Sequence, residues 1–245
     1  MKNKASFTFS LLLIAILLLA CSTTTQDSET VVGTGSTVEQ TREVGDFSGV
    51  ELAMNGTLHI SMGDTSSLRV EAQNNLLQYI QTETRGDTLL IHTTPGINVE
   101  GTQPIQYYLT VKKLNNLQIS SSGDIEAGNL KSDALSIKIA SSGDVTIDSL
   151  DCPSLDVQIA SSGDLKIAGG QIQAQTIQIS SSGEYLARDV SSTRAEVHLT
   201  SSGPATVRVS DRLSGQLSSS GNLYCAGDPK VDVKTTSSGK VIQID

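Results

Sequence analysis

The sequence predicts an all-β chain whose C-terminal part is a β-solenoid, and three observations lead to this fold class. Ser-Ser-Gly recurs seven times, at spacings of 20 residues that shorten to 18 in the last two units. Apolar and polar residues alternate on both sides of each glycine, as they do along β-strands. No segment of the N-terminal half shows a helical period. The repeat glycines are Gly123, Gly143, Gly163, Gly183, Gly203, Gly221 and Gly239.

Each repeat is predicted to be a strand, a tight turn and a second strand. A second corner is expected half a period later, for example at Ala127-Gly128-Asn129 and at residues 148–151. Two strands and two corners make one rung of about 20 residues, and stacked rungs align their apolar columns. We expect the glycine to supply a positive φ at the Ser-Ser-Gly corner and the serines to bond the turn backbone. On this pattern Cys225 points inward and His198 points outward.

Residues 37–116 lack Ser-Ser-Gly but keep the alternation of strands, with strands predicted at 68–72, 77–84, 88–92 and 106–112. The apolar positions around Met54-Asn55-Gly56 match those around the repeat glycines, so this turn is expected to be a diverged first corner. The N-terminal region is therefore predicted to form irregular rungs or a small β-subdomain, continuous with the solenoid of residues 117–245. The last units lose apolar positions, which predicts a C-terminal cap.

Residues 1–20 have the organisation of a bacterial lipoprotein signal peptide. Lys2 and Lys4 precede an apolar run that is too short for a comfortable membrane span. The run ends in Leu18-Leu19-Ala20-Cys21, which resembles a lipobox, so we predict cleavage before Cys21 and lipidation of its thiol, including palmitate. An ordinary cleaved signal peptide with an incidental cysteine is the alternative.

The residues after Cys21 indicate where the mature chain is held. Ser22, where some lipoproteins carry aspartate, favours the outer membrane over the inner membrane. Residues 21–36 are predicted to be a polar tether. The formal net charge is -9, which argues against nucleic acid as a partner and against electrostatic attraction to anionic lipid. Membrane attachment is therefore expected through the lipid on Cys21, in the cell envelope.

The repeated unit, together with the segment Thr41 to Val50 that precedes the first corner, resembles the DUF2807 family, the auto-transporter adhesin, head GIN domain family. The resemblance covers about residues 38–240. It implies a secreted, β-helical and frequently lipid-anchored protein, and it implies no catalytic residue.

An acidic residue follows four of the glycines, and stacked rungs would place these acids in one column. One interpretation is a calcium ladder, because hard cations take carboxylate oxygens. Another is a paired-carboxylate active site. We favour a third, in which each acid satisfies the turn backbone and its charge is solvated, with no cofactor required. The column is Asp124, Asp144, Asp164 and Glu184.

The other reactive residue types give no catalytic pattern. A nucleophilic serine needs a positioned base, and the histidines are scattered at His59, His92 and His198. Tyr107-Tyr108 could form a sugar-stacking platform, although alternation along a strand would bury one of the two rings. The sequence therefore predicts a non-enzymatic binding or adhesin-like module whose partners are envelope or host glycans or proteins. A polysaccharide-modifying enzyme and an envelope-stress or assembly factor are the rivals.

Overall fold

The structure is a computed structural model that describes residues 28–245, and every regular element in this range is a β-strand. Nothing in this range is a helix long and apolar enough to cross a membrane. The predicted signal peptide and Cys21 lie outside the described residues. The strands are β1 (Glu29–Val32), β2 (Thr37–Arg42), β3 (Gly49–Leu52), β4 (Thr57–Met62), β5 (Ser67–Gln73), β6 (Ile80–Arg85), β7 (Thr88–Thr93), β8 (Ile97–Glu100), β9 (Gln106–Val111), β10 (Asn116–Ile119), β11 (Asp124–Lys131), β12 (Leu135–Ile139), β13 (Val145–Ile159), β14 (Leu165–Ile167), β15 (Gly170–Ile179), β16 (Tyr185–Leu199), β17 (Ala205–Leu217), β18 (Leu223–Ala226), β19 (Lys230–Thr235) and β20 (Val241–Ile244).

Strands β10 to β20 form a parallel β-solenoid of about 6 turns with rungs of about 20 residues. Val157 lies opposite Ile137 in the preceding rung and opposite Ile177 in the following one. In the last rungs the step is 18 residues, so that Ala205 lies opposite Leu223. Equivalent apolar side chains therefore stack in columns along the axis, and the predicted fold class is confirmed.

Each rung has three sides, whereas the sequence predicted two. In β13 the buried side chains fall into three groups, separated by pairs of outward residues at 148–149 and 153–154. Two consecutive outward residues break the alternation, so the strand bends there. The ladder continues through the second bend, where Cys152 and Ser154 pair with Ile172 and Ala174 of β15. The predicted second corner is thus one of two bends, and the short side between them was read as part of the turn.

The glycines of the Ser-Ser-Gly corners do not adopt a positive φ, so that part of the prediction is wrong. Their role is close stacking along the axis. A Cβ on Gly163 would lie 2.2 Å from the carbonyl oxygen of Gly143, and one on Gly183 would lie 2.3 Å from that of Gly163. Only a residue without a Cβ lets successive corners stack at the ladder spacing of about 4.8 Å. The serine prediction holds at Ser141, whose hydroxyl donates to the carbonyl of Ser121.

The N-terminal region combines irregular rungs with an antiparallel cap. Strands β3 and β4 add a rung to β10 and β11, with Val50 opposite Leu117 and Leu58 opposite Ile125. This register confirms Gly56 as a diverged first corner. Strands β7 and β9 pair in parallel with β3 and β4 to form the next layer. Antiparallel strands then close this end, because β5 pairs with β9, β2 with β5, and β6 with β7.

The folded part begins earlier than predicted. Strand β1 lies within the stretch predicted as a polar tether and pairs in parallel with β8. Val31 is partly buried against the core, and this contact joins β1 to the fold although its neighbours in the sequence are mostly polar. Residues 29–36 are therefore not a tether, and residues 22–28 lie between Cys21 and the first strand in the sequence.

The C-terminal end continues the ladder, so the predicted cap is wrong. Strands β19 and β20 pair in parallel with β17 and β18 as one more regular rung. Backbone pairing requires no apolar side chain, so the loss of apolar positions leaves this rung exposed instead of ending the coil. Val231 is accordingly 49% exposed.

Candidate functional site

A groove of about 880 Å³ runs along the solenoid axis. It lies at the short third side of the rungs and receives residues from six successive rungs. The lining consists of residues 131–133, 151–153, 171–173, 191–193, 208–210 and 227–228. Five ladder steps of about 4.8 Å make it about 24 Å long.

The floor of the groove is mostly apolar and its walls are polar. Cys152 and Ile172, which are 5% and 2% exposed, form the floor together with Val209. Exposed hydroxyl, amide and charged side chains rise on both sides, including Gln173 and Thr193. This arrangement presents an apolar strip bordered by hydrogen-bonding groups.

The groove crosses the point where the rung shortens from 20 to 18 residues. The pairing of β16 with β17 shifts register between Ala187 and Ser191, and again between Ser192 and Arg194. Irregularities of this kind re-aim side chains and occur often beside functional sites. The side chain of Arg208 is held at this step, because its Nε–H donates to the carbonyl of Arg188 at 2.8 Å.

A chain of buried hydrogen bonds supports the floor of the groove from inside, because Ser192 lies between Ile172 and Val209 in the same column. The Tyr185 hydroxyl donates to Gln175 Oε1 at 2.7 Å, and Gln175 Nε2 donates to Ser192 Oγ at 2.8 Å. Ser192 Oγ in turn donates to the carbonyl of Arg208 at 2.6 Å. Each buried polar group therefore has a partner, and a satisfied network of this kind holds its members in one arrangement.

The acids of the predicted column do stack, but their oxygens serve the backbone. Asp124 Oδ1 accepts the N–H of Asp144 at 2.9 Å, and Asp144 Oδ1 accepts the N–H of Asp164 at 2.8 Å. Asp164 Oδ1 accepts the N–H of Glu184 at 2.7 Å. Burial, and then the charge of Asp164, raises the pKa of the Glu184 carboxyl. Within residues 28–245, no cluster of three or more His, Cys, Asp or Glu side chains could hold a metal ion.

Each histidine contacts a different glutamate. His59 Nδ1 lies 3.2 Å from Glu126, His92 Nε2 lies 2.9 Å from Glu83, and His198 Nε2 lies 3.0 Å from Glu196. His198 is partly exposed, which confirms that it points outward. None of these rings hydrogen-bonds to a serine of a Ser-Ser-Gly corner in the described part of the chain.

The Tyr107-Tyr108 pair does not form a platform for sugar rings. Tyr107 is fully buried, as alternation along β9 required. The ring of Tyr108 is covered by its neighbours on both adjacent strands. His59 on β4 stacks on it at a centroid distance of 5.0 Å, and the Arg69 guanidinium on β5 lies 4.1 Å from its centroid.

The two remaining cysteines are free and buried, with Cys225 fully buried in the core as predicted. Burial raises the pKa of the Cys152 thiol to about 11. Sequence reasoning missed the groove in which Cys152 lies. Two features of the sequence could have indicated the groove. Each unit contains two pairs of consecutive polar or exposed residues, and the spacing of the repeats changes from 20 to 18 residues.

These features define a parallel β-solenoid with a side-chain-lined groove. The model of the DUF2807 family, described as "Putative auto-transporter adhesin, head GIN domain", matches residues 46–229. The chain belongs to this family. No curated protein matches the sequence.

Solved structures share the fold at low sequence identity. A putative adhesin from Bacteroides fragilis has a TM-score of 0.81 and 20% identity, covering 87% of this chain and 100% of its own. A putative lipid binding protein from Parabacteroides distasonis has a TM-score of 0.72 and 21% identity, covering 89% and 100%. A putative adhesin from Parabacteroides merdae has a TM-score of 0.67 and 18% identity, covering 89% and 100%.

Proposed function

We propose that this protein is a lipid-anchored module of the bacterial cell envelope that binds surface ligands and catalyses no reaction. Cys21 carries the lipid and holds the chain in the outer membrane, and the solenoid presents its sides to ligands. The observation that carries the proposal is the groove along six rungs, which offers a long, side-chain-lined contact surface. The adhesin description of the family supports the same class of function.

The use of the acidic and serine side chains supports a non-enzymatic role. Three aspartates of the column each accept a backbone N–H of the next rung. A general acid or base must instead be free to exchange a proton with a substrate. These repeated side chains therefore serve the fold, and binding is left to the groove and the flat sides.

The anchor is tested by metabolic labelling with a palmitate analogue and by membrane fractionation. The wild-type chain should be labelled and sediment with outer membranes, while Cys21→Ser should lose the label and leave the membrane fraction. Ser22→Ala is the matched control, and it should keep the label. A Cys21→Ser chain that still sediments with membranes would contradict the anchor.

The binding role is tested with the solubilised full-length lipoprotein against arrays of glycans and envelope proteins. We expect retention of ligands without chemical change. Reducing-end and mass-spectrometric assays should show glycans of unaltered length after incubation. The appearance of shortened or unsaturated products would show that the protein is an enzyme.

A further inference from the structure

We infer that the groove binds a neutral glycan chain laid along the solenoid axis, an inference that rests on the proposed binding function. The ligand must be elongated, because the groove takes residues from six rungs and is about 24 Å long. A single sugar would leave most of this surface unused. A chain can repeat the same contacts from rung to rung, since equivalent residues recur at each ladder step.

Recognition in the groove must come from side chains. The backbone of β13, β15 and β16 is already paired between rungs, as at Ser154–Ala174 and Ala174–Arg194. A peptide lying along the axis could not add itself as a strand, because strand addition needs a free sheet edge. The groove walls offer short hydroxyl and amide groups instead, among them Ser191, Thr193 and Gln173.

The cross-section of the groove fits a pyranose chain. Sugar rings present C–H faces and hydroxyl edges, and the groove presents an apolar floor at Ile172 and Val209 with polar walls. Protein interfaces are enriched in Tyr, Trp, Phe, Met and Arg at their centres. Among the lining residues there is no aromatic residue and no methionine, and Arg208 is the one arginine. The lining therefore lacks most of the residue types that are typical of the centre of a protein interface.

The charges of the groove favour a neutral glycan over an anionic one. Its charged residues are three acids, Asp133, Asp151 and Asp228, and two bases, Lys131 and Arg208. A polyanionic chain would meet more negative than positive charge. Carboxylates and guanidinium groups still bind neutral sugars, because both make strong hydrogen bonds with hydroxyl groups.

The floor is held in place before any ligand arrives. Tyr185, Gln175 and Ser192 form the buried hydrogen-bonded chain behind it, and Ser192 is bonded in turn to the carbonyl of Arg208. A preformed floor lowers the entropic cost of binding. The network lies in a core that consists mostly of aliphatic residues.

The test measures binding of the full-length lipoprotein to neutral oligosaccharides of increasing length, namely glucan, mannan and xylan series, with polygalacturonate as the anionic comparator. At least one neutral series should bind, with affinity that rises with chain length until the groove is filled. Gln173→Trp, which places a large ring in the groove, should weaken this binding by about tenfold or more. Gln216→Trp is the matched control, because Gln216 is also an exposed strand glutamine but lies outside the groove; its affinity should stay within about twofold.

Asp133→Ala provides a second groove variant that removes one polar group without adding bulk, and it should weaken binding severalfold. Thermal melting of each variant separates lost binding from lost folding. Tighter binding of polygalacturonate, or equal losses for Gln173→Trp and Gln216→Trp, would overturn the inference. Binding of a protein ligand at the groove would overturn the glycan inference and leave the proposed binding function intact. Formation of a shortened or unsaturated glycan product would overturn the proposed function itself.

Discussion

Replacing a stacked corner glycine by alanine tests whether close approach, and not backbone conformation, explains the Ser-Ser-Gly repeat. In Gly163→Ala the new Cβ would lie 2.2 Å from Gly143 O, 2.8 Å from Ile139 Cγ2 and 2.8 Å from Ser141 O. Real Cβ atoms essentially never approach so closely, so the rung must move away. Overpacking of this kind costs about 1–3 kcal/mol.

The movement also weakens two hydrogen bonds at the same corner. The N–H of Gly163 donates to Ser141 O at 3.2 Å, and the N–H of Asp164 donates to Asp144 Oδ1 at 2.8 Å. With a net contribution of about 1 kcal/mol for an intact hydrogen bond, we expect a total loss of about 2–4 kcal/mol in the free energy of unfolding.

The control is Gly128→Ala, in the same solenoid. A Cβ at Gly128 would meet nothing within 4 Å, and Gly128 has no positive φ. This substitution should change stability by less than about 1 kcal/mol and can raise it, because alanine reduces the entropy of the unfolded chain. Urea denaturation followed by circular dichroism measures both variants. A Gly163→Ala protein as stable as Gly128→Ala would refute the stacking explanation.

Four further outcomes follow from the core and the acidic column. Burial raises the pKa of the Glu184 carboxyl. The stability that the protonated Glu184 side chain contributes is therefore complete below the usual carboxyl pKa and is lost as the pH rises through the raised pKa. Glu184→Gln should melt at a higher temperature than wild type at pH 7 and at the same temperature near pH 3.5, and equal melting curves at both pH values would contradict the raised pKa. Tyr185→Phe leaves Gln175 Oε1 without its donor and should lower the free energy of unfolding by about 1–3 kcal/mol. In urea titrations the double variant with Gln175→Leu should lose less than the sum of the losses of the two single variants. The Cys152 thiol is 5% exposed with a pKa of about 11, so a thiol reagent at pH 7.5 should modify it only after unfolding, and rapid native labelling would show that the groove floor opens. A chelator should leave the melting midpoint unchanged, because the acidic column already binds backbone amides; a fall would revive the calcium ladder.

The ladder register could be predicted from the sequence because residues one repeat apart pair with each other in neighbouring rungs. Ile137, Val157 and Ile177 stand 20 residues apart and lie in one column. The same count placed Gly56 as the first corner, although its rung is joined to β10 across a long insertion.

The features that were missed depend on contacts between rungs or between distant segments. The reason for glycine at 143 and 163 is visible only when one corner is laid on another, because φ alone would permit other residues there. The antiparallel cap joins β2 to β5 by tertiary pairing that no local pattern specifies. The short third side contributes only two inward residues per rung, such as Leu150 and Cys152, which is too few to display a period.

The groove could be predicted from the sequence only in part. The change in repeat length after Gly203 was plain in the sequence, but its consequence was not. A two-residue deletion shortens one side of the rung while the other two sides keep their register. Packing decides which side of the rung becomes shorter, and the shortened side is the one that carries Ser192 and Arg208.

The repeat of identical corners also makes the length of this protein an adjustable quantity. Gly163, Gly183 and Gly203 have nearly the same surroundings, each against the preceding glycine carbonyl and an isoleucine methyl group. Excising residues 164–183 would join Gly163 directly to Glu184 and would leave the remaining rungs in register, shortening the stack by about 4.8 Å. Duplication or loss of the coding sequence of one unit can therefore lengthen or shorten the solenoid without changing how its core residues pack.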